Sequence, residues 1–215
     1  TRIYRIIRKG EVRVNGKRSK PGYKLLLADI IRIPPIRISN NKKRIPTPGL
    51  SKLIQASILH QDESLLVINK PSGIAVHTGT GVKISLIEVL RDIYKDEYLE
   101  LAHRIDKGTS GCLLVARNSI ALKRLQNEFK ARAVQKEYHA IVHGLWPQQL
   151  EEINVRLKRS PETGGARKVF VSEKGQKALT CFYLLRHFKQ HSLVSAHPKT
   201  GRTHQIRAHA QFAGY

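Results

Sequence analysis

The chain has 215 residues with 39 Lys+Arg against 16 Asp+Glu, a formal charge of +23, and 40% of its residues are hydrophobic. It is too apolar for a disordered basic tail and too cationic for an ordinary metabolic enzyme, so a folded protein of unusual charge is expected. No run reaches the roughly 18 apolar residues of a membrane span, no secretory signal opens the chain, and Cys112 and Cys181 form neither a disulfide framework nor a zinc set, which leaves a soluble protein of a reducing, cytoplasmic compartment.

In the first 58 residues, 15 Lys+Arg face only Glu11 and Asp29, while the other 157 hold 24 cations and 14 acids. Ile3, Ile6 and Ile7 mark one face of a short helix, with Arg2, Arg5, Arg8 and Lys9 around the rest and Gly10 as its stop. Val12-Arg13-Val14 alternates into Asn15-Gly16, a strong two-residue hairpin signal, with Lys17 and Arg18 on the returning arm. Asp29 to Ile33 reads as a closing strand before Pro34. Cations crowded on adjoining elements point to nucleic-acid phosphates bound by charge, through Arg2, Arg5, Arg8, Lys9, Arg13, Lys17 and Arg18. A solvated basic surface on a small α+β unit is the alternative. The Asn40-Asn41-Lys42-Lys43-Arg44 run and Pro46-Thr47-Pro48-Gly49 signal a break. The expected division is a basic domain over 1–38, a linker over 39–57 and a second domain over 58–215. With no Met and a start at Thr1, the chain reads as a fragment.

In the second block, Ile58-Leu59 and Leu65 to Ile68 read as strands, followed by the turn Asn69-Lys70-Pro71-Ser72-Gly73. Ile84 to Ile93 has helical spacing, and Ser119 is a candidate N-cap for a helix to about Arg132. Between them, Leu101 to Gly111 is a Gly-containing loop leading into the strand Cys112 to Val115, where catalytic side chains are favoured. Asp106 on it lies beside Arg104 and Lys107, a candidate nucleophile or a turn-capping acid. Lys136 to Gly144 alternates as a strand with Tyr138, Ala140 and Val142 on one face. Pro198 to Arg202 makes a turn into a helix over Thr203 to Ala210, with Thr203 as a candidate cap and Arg207 one turn on. Trp146 reads as a packing residue and both cysteines as buried strand residues. Gly164-Gly165-Ala166-Arg167-Lys168 reads as a basic loop touching RNA, since it lacks the spacing of a nucleotide-phosphate loop. His204 and His209 are five apart, off the four-residue spacing of helical metal pairs, so no metal is expected.

The segment "RIIRKGEVRVNGKRSKPGYKLLLADIIRIP" resembles the RNA-binding domain of the ribosomal-protein-S-four type, cut off at its opening helix. Ala28 stands where that pattern has Gly, and a slightly altered turn is expected there. Farther on, "VINKPSG", "HRIDKGTSG", "KEYHAIVHG" and "TGRTHQIRAH" are similar, in order, to the motifs of the RluA-type family of pseudouridine synthases, from about residue 58 to the end. Their wording is nearest to the branch that modifies large-subunit ribosomal RNA. The resemblance implies an α+β fold with a largely antiparallel sheet, and a catalytic domain truncated at its end. It also implies isomerisation of uridines in 23S ribosomal RNA without a cofactor. Asp106 would then be the catalytic aspartate, Arg207 the basic residue paired with it, and Tyr138 the tyrosine that stacks on the extruded base. Arg104 would fill the space the base leaves, with Arg202 in the RNA contact set. A monomer away from RNA fits the excess charge. Two other classes are the alternatives: a non-catalytic ribosome-assembly factor, which would keep Asp106, Tyr138 and Arg207 apart, and a glycoside or nucleoside hydrolase, which usually needs a second carboxylate that no motif supplies.

Overall fold

The computed structural model describes residues 2–35, 45–79, 82–160 and 168–215. Two compact units divide the chain, Thr1–Lys43 and Arg44–Tyr215. The basic loop expected at 164–168 falls outside the described residues except for Lys168, as do the side chain of Arg2, residues 36–38 of the expected basic domain and the 39–44 part of the expected linker.

The first unit opens with α1 (Arg2–Arg8), which places Arg5 and Arg8 in its last turn, where cations complement the helix dipole. Gly10, at φ +73°, ends it as expected: its N–H and that of Glu11 bond back to the carbonyls of Ile7 and Ile6 at 2.9 and 3.0 Å. Of the three isoleucines expected on one face, Ile6 is buried, Ile7 is half-buried and Ile3 is exposed, because a seven-residue helix turns only one position squarely inward. Strands β1 (Arg13–Val14) and β2 (Lys17–Arg18) pair antiparallel around Asn15 and Gly16, whose φ values of 50° and 75° are the two left-handed positions this hairpin turn requires. β3 (Ile31–Arg32) closes the sheet against β1, placing Arg13 opposite Arg32. A polar clamp sets the loop between them. Asn15 Nδ2 donates to Asp29 Oδ1 at 2.7 Å, and Asn15 Oδ1 accepts from the Ile30 N–H at 2.9 Å. Asp29 also accepts from the Leu26 N–H, a bond that pulls its carboxyl below the usual range. Ala28 adopts φ 70°, so a side chain occupies a left-handed position beside this clamp.

In the second unit, α2 (Pro48–Ala56) corrects the expectation of a linker through residue 57. Thr47 caps it by accepting from the Leu50 N–H, Pro48 fits its first turn, and fully buried Ile54 joins a core with α3 (Leu86–Ile93). Thr47-Pro48 is a helix-start signal embedded among chain-breakers, and burial of an apolar face decided in its favour. Strands β4 (Ile58–Gln61), β5 (Leu65–Lys70), β7 (Gly111–Ala116) and β6 (Glu100–Leu101) form one antiparallel sheet in the order β4-β5-β7-β6. Leu66, Ile68, Leu113 and Val115 face its core, whereas Cys112, on the opposite pleat, is exposed rather than buried. Helix α4 (Ser119–Ala131) begins one residue earlier than expected, since the Asn118 side chain accepts from the Ala121 N–H at 2.8 Å; Ser119 is the first helical residue.

The second sheet of this unit is also antiparallel, in the order β10-β9-β11-β12-β8: β8 (Tyr138–His143), β9 (Glu152–Arg159), β10 (Val169–Val171), β11 (Gln176–His187) and β12 (His191–Pro198). Helix α5 (Gln205–Phe212) packs across β9 to β12. Trp146 is buried, its ring centroid 4.8 Å from Phe182 and 4.9 Å from Tyr215, and its Nε1 donates to the Leu150 carbonyl, as a packing residue should. His209 is fully buried with neither ring nitrogen hydrogen-bonded among the described residues, and burial pushes its pKa down to about 4. Tyr138 packs against the cores of both sheets, which puts it at the seam between them.

Candidate active site

Asp106 lies on the loop that leaves β6 and re-enters β7. The loop is anchored from within: Ile105 is buried in the core of the four-stranded sheet, and the next side chain, Asp106, is 29% exposed. His103 fixes its start. Its Nε2 accepts from the Leu114 N–H at 3.0 Å and its ring stacks on Phe129, while burial, then the Lys136 charge, hold its pKa down at about 4. The imidazole replaces a backbone acceptor where the main chain departs from the sheet. The Asn69-Lys70-Pro71-Ser72-Gly73 turn fixes the other end: Gly73 N–H donates to the Lys107 carbonyl at 2.8 Å and Ser72 Oγ to the Gly108 carbonyl at 2.9 Å. Lys70, fully buried, donates to the carbonyls of Pro71, Ile74 and Lys107; burial lowers its pKa, and the charge of Asp106 opposes that shift. The opening motif is thus the scaffold of the Asp106 loop.

Two later residues converge on the carboxylate. Arg207 Nε stands 3.7 Å from Asp106 Oδ2 and His204 Nε2 stands 3.8 Å from the same oxygen. Tyr138 feels the site as well: burial first, then the Asp106 charge, raise its pKa above the usual phenol value. Arg207 thus meets Asp106, and Tyr138 lies within reach of its charge. Arg104 is exposed on the same loop, and Arg202 is exposed with its Nε donating to the Lys177 carbonyl at 3.1 Å. Arg5, Arg8, Lys9, Arg13, Lys17 and Arg18 are exposed in the first unit, where Tyr4, Arg5, Arg8 and Lys9 line a surface hollow of about 400 Å³. Among the described residues no group of three His, Cys, Asp or Glu side chains is placed to hold a metal, and no helix is long and apolar enough to cross a membrane.

His204 is the site residue the sequence reading passed over. It, and not Thr203, is the N-cap of α5, with φ 49° and ψ 27° and no side-chain capping bond. The left-handed region costs a non-glycine residue about 1–2 kcal/mol. The dipeptide Thr203-His204 gave no sign of this, because Thr is the better cap by type and only the tertiary placement of the turn makes His204 the capping position.

Both units of the chain are similar to known proteins. The profile of the RNA pseudouridylate synthase family matches residues 64–212, and that of the S4 domain matches residues 1–31. A ribosomal large subunit pseudouridine synthase C of Pasteurella multocida (strain Pm70) is 46% identical over 216 residues, covering 99% of this chain and 66% of that protein. The protein of the same name from Escherichia coli (strain K12) is 44% identical, covering 99% and 68%. The chain thus spans about two thirds of the length of these relatives. Among solved structures, human RNA pseudouridylate synthase domain containing 4 superposes with a TM-score of 0.62 at 32% identity, covering 77% of this chain and 67% of that one. Human RNA pseudouridylate synthase domain containing 1 gives 0.65 at 28% identity, covering 79% and 69%.

Proposed function

The chain belongs to the RNA pseudouridylate synthase family, and from that premise we propose that it isomerises uridines to pseudouridine in large-subunit ribosomal RNA, with Asp106 as the reacting carboxylate. The reaction breaks the bond between ribose C1′ and uracil N1, turns the base, and joins C1′ to C5. The C5 proton leaves and N1 gains one, so atoms and oxidation state balance and no cofactor is required.

The observation that carries the reading is the convergence of Arg207 on Asp106, 3.7 Å from its Oδ2, at a seam that also holds Tyr138. The guanidinium helps position a carboxylate that can add to the base or sugar or stabilise charge developing on the ribose. Tyr138, part-buried with its apolar ring at the seam, offers a stacking platform for an extruded base, and its hydroxyl a relay for the C5 proton. Extrusion costs a few kcal/mol of stacking, which phosphate contacts and the exposed Arg104 beside the reacting group would offset. The basic face of the first unit supplies contacts that read charge and not sequence, so the domain over 1–38 is read as the RNA-binding module and the second unit as the catalyst. A charge of +23 opposes self-association, in keeping with a cytoplasmic monomer.

Asp106→Asn tests the reading directly. Tritium release from ribosomal RNA labelled at uridine C5 should fall by at least about a thousandfold, with RNA affinity within twofold of the parent. Persistent release overturns the assignment.

A further inference from the structure

We propose that His204 is a positioning residue for Asp106, and that with Arg207 it holds the carboxylate through Oδ2. The inference rests on the reading of Asp106 as the reacting carboxylate.

Three helix starts in the second unit allow the comparison. At α2, Thr47 has φ −68° and ψ 148°; at α4, Asn118 has φ −152° and ψ 164°; both are extended, and both side chains cap their own helix. This is what an N-cap residue ordinarily does. His204 does neither. Its backbone is left-handed, its carbonyl accepts the Ala208 N–H at 2.9 Å as an N-cap carbonyl should, and its side chain gives nothing to its own helix. The imidazole points instead toward Asp106 Oδ2, its one acidic neighbour within ion-pair range among the described residues.

Such a conformation persists only where the surroundings hold it in place, and the next residue supplies that hold. Gln205 is buried, with its Oε1 accepting from Thr200 Oγ1 at 2.7 Å and from the Arg202 N–H at 3.0 Å. Its Nε2 donates to the Leu179 carbonyl at 3.0 Å and to Thr180 Oγ1 at 2.9 Å. The turn is therefore pinned from the sheet side, and the strained residue is swung to the Asp106 side. Local cost without local return is the mark of a position shaped by a site.

Both partners address the same oxygen, Arg207 Nε at 3.7 Å and His204 Nε2 at 3.8 Å. These distances are longer than hydrogen bonds, so the effect is to fix the carboxylate rotamer through Oδ2.

The test separates strain from function. In His204→Gly the backbone is free to keep its left-handed turn while the imidazole is lost. With tritium-labelled ribosomal RNA as substrate and the full chain as enzyme, kcat should fall at least tenfold, KM stay within twofold, and Tm stay level or rise. His204→Asn, which tolerates the left-handed region and keeps a polar group, should recover part of the lost kcat. An undiminished kcat in His204→Gly, a loss confined to KM, or a fall in Tm overturns the proposal. Asp106→Asn run alongside distinguishes the failures: if it retains turnover, the reading of Asp106 is wrong; if it is inactive while His204→Gly is undiminished, only the role of His204 is.

Discussion

The two units are held together by different physics. Among the described residues of the first unit Ile6 is the one buried apolar side chain, while Leu26, Leu27, Ile30 and Ile33 are exposed. Its shape comes from turn chemistry: left-handed positions at Gly10, Asn15 and Gly16 and the Asn15–Asp29 clamp. The second unit carries continuous apolar clusters, from Ile54, Leu66 and Leu113 in one sheet to Trp146, Phe182 and Val194 in the other. A unit whose main feature is an exposed basic surface can be specified by local polar geometry. A unit that must hold a carboxylate within ångströms of an arginine from a distant helix needs a packed core.

The comparison is broken most severely at Phe182, 1% exposed against Trp146. Phe182→Ala should cost about 3–5 kcal/mol in the second unit, read as a urea midpoint shift, and leave the amide spectrum of the first unit unchanged. Acid should make the same distinction, because all ten histidines lie in the second unit. His103 and His209 have folded pKa values pushed down to about 4, so each binds a proton more readily when unfolded. Their contribution is complete above about pH 6.5 and is lost as pH falls toward 4, about 2 kcal/mol each by pH 5. Chemical denaturation at pH 7 and pH 5 should show the loss in the second unit and none from histidine in the first.

In the first unit the sensitive residue is a polar one. Asn15→Ala removes two hydrogen bonds and places alanine in a left-handed position, which should cost about 2 kcal/mol and loosen the hairpin in hydrogen exchange. The smallest effect runs the other way. Ala28→Gly relieves a left-handed alanine and should stabilise this unit by about 0.5–1 kcal/mol in thermal melts, the strain gained being partly offset by a freer unfolded chain.

Features written in short stretches were legible in the sequence. Asn15-Gly16 named its turn, Gly10 its helix stop, and the alternation of Lys136 to Gly144 the strand that carries Tyr138. The Asp106, Tyr138 and Arg207 set was legible only through motif resemblance, since each residue alone has an ordinary structural reading. What stayed hidden was decided by alternatives of nearly equal local energy. Asn118 and Ser119 both cap well by type, and only the backbone at Asn118 is extended where the helix begins. Thr47-Pro48 starts a helix amid breakers because Ile54 finds a core. Cys112 lies in an apolar run, yet its pleat faces outward while Leu113 and Val115 face in.

By itself the sequence determined the charge, the tight turns and the position of single strands, because these depend on residue type and on spacings of a few positions; the antiparallel sheet and the candidate reacting groups came only with the family resemblance. Tertiary structure decided that His204, not Thr203, begins α5, that its imidazole joins Arg207 at one oxygen of Asp106, and that Lys70 and His103 brace the loop between them. Those contacts join elements far apart in the chain, and their geometry is set by how two sheets and a helix pack, which no local pattern encodes.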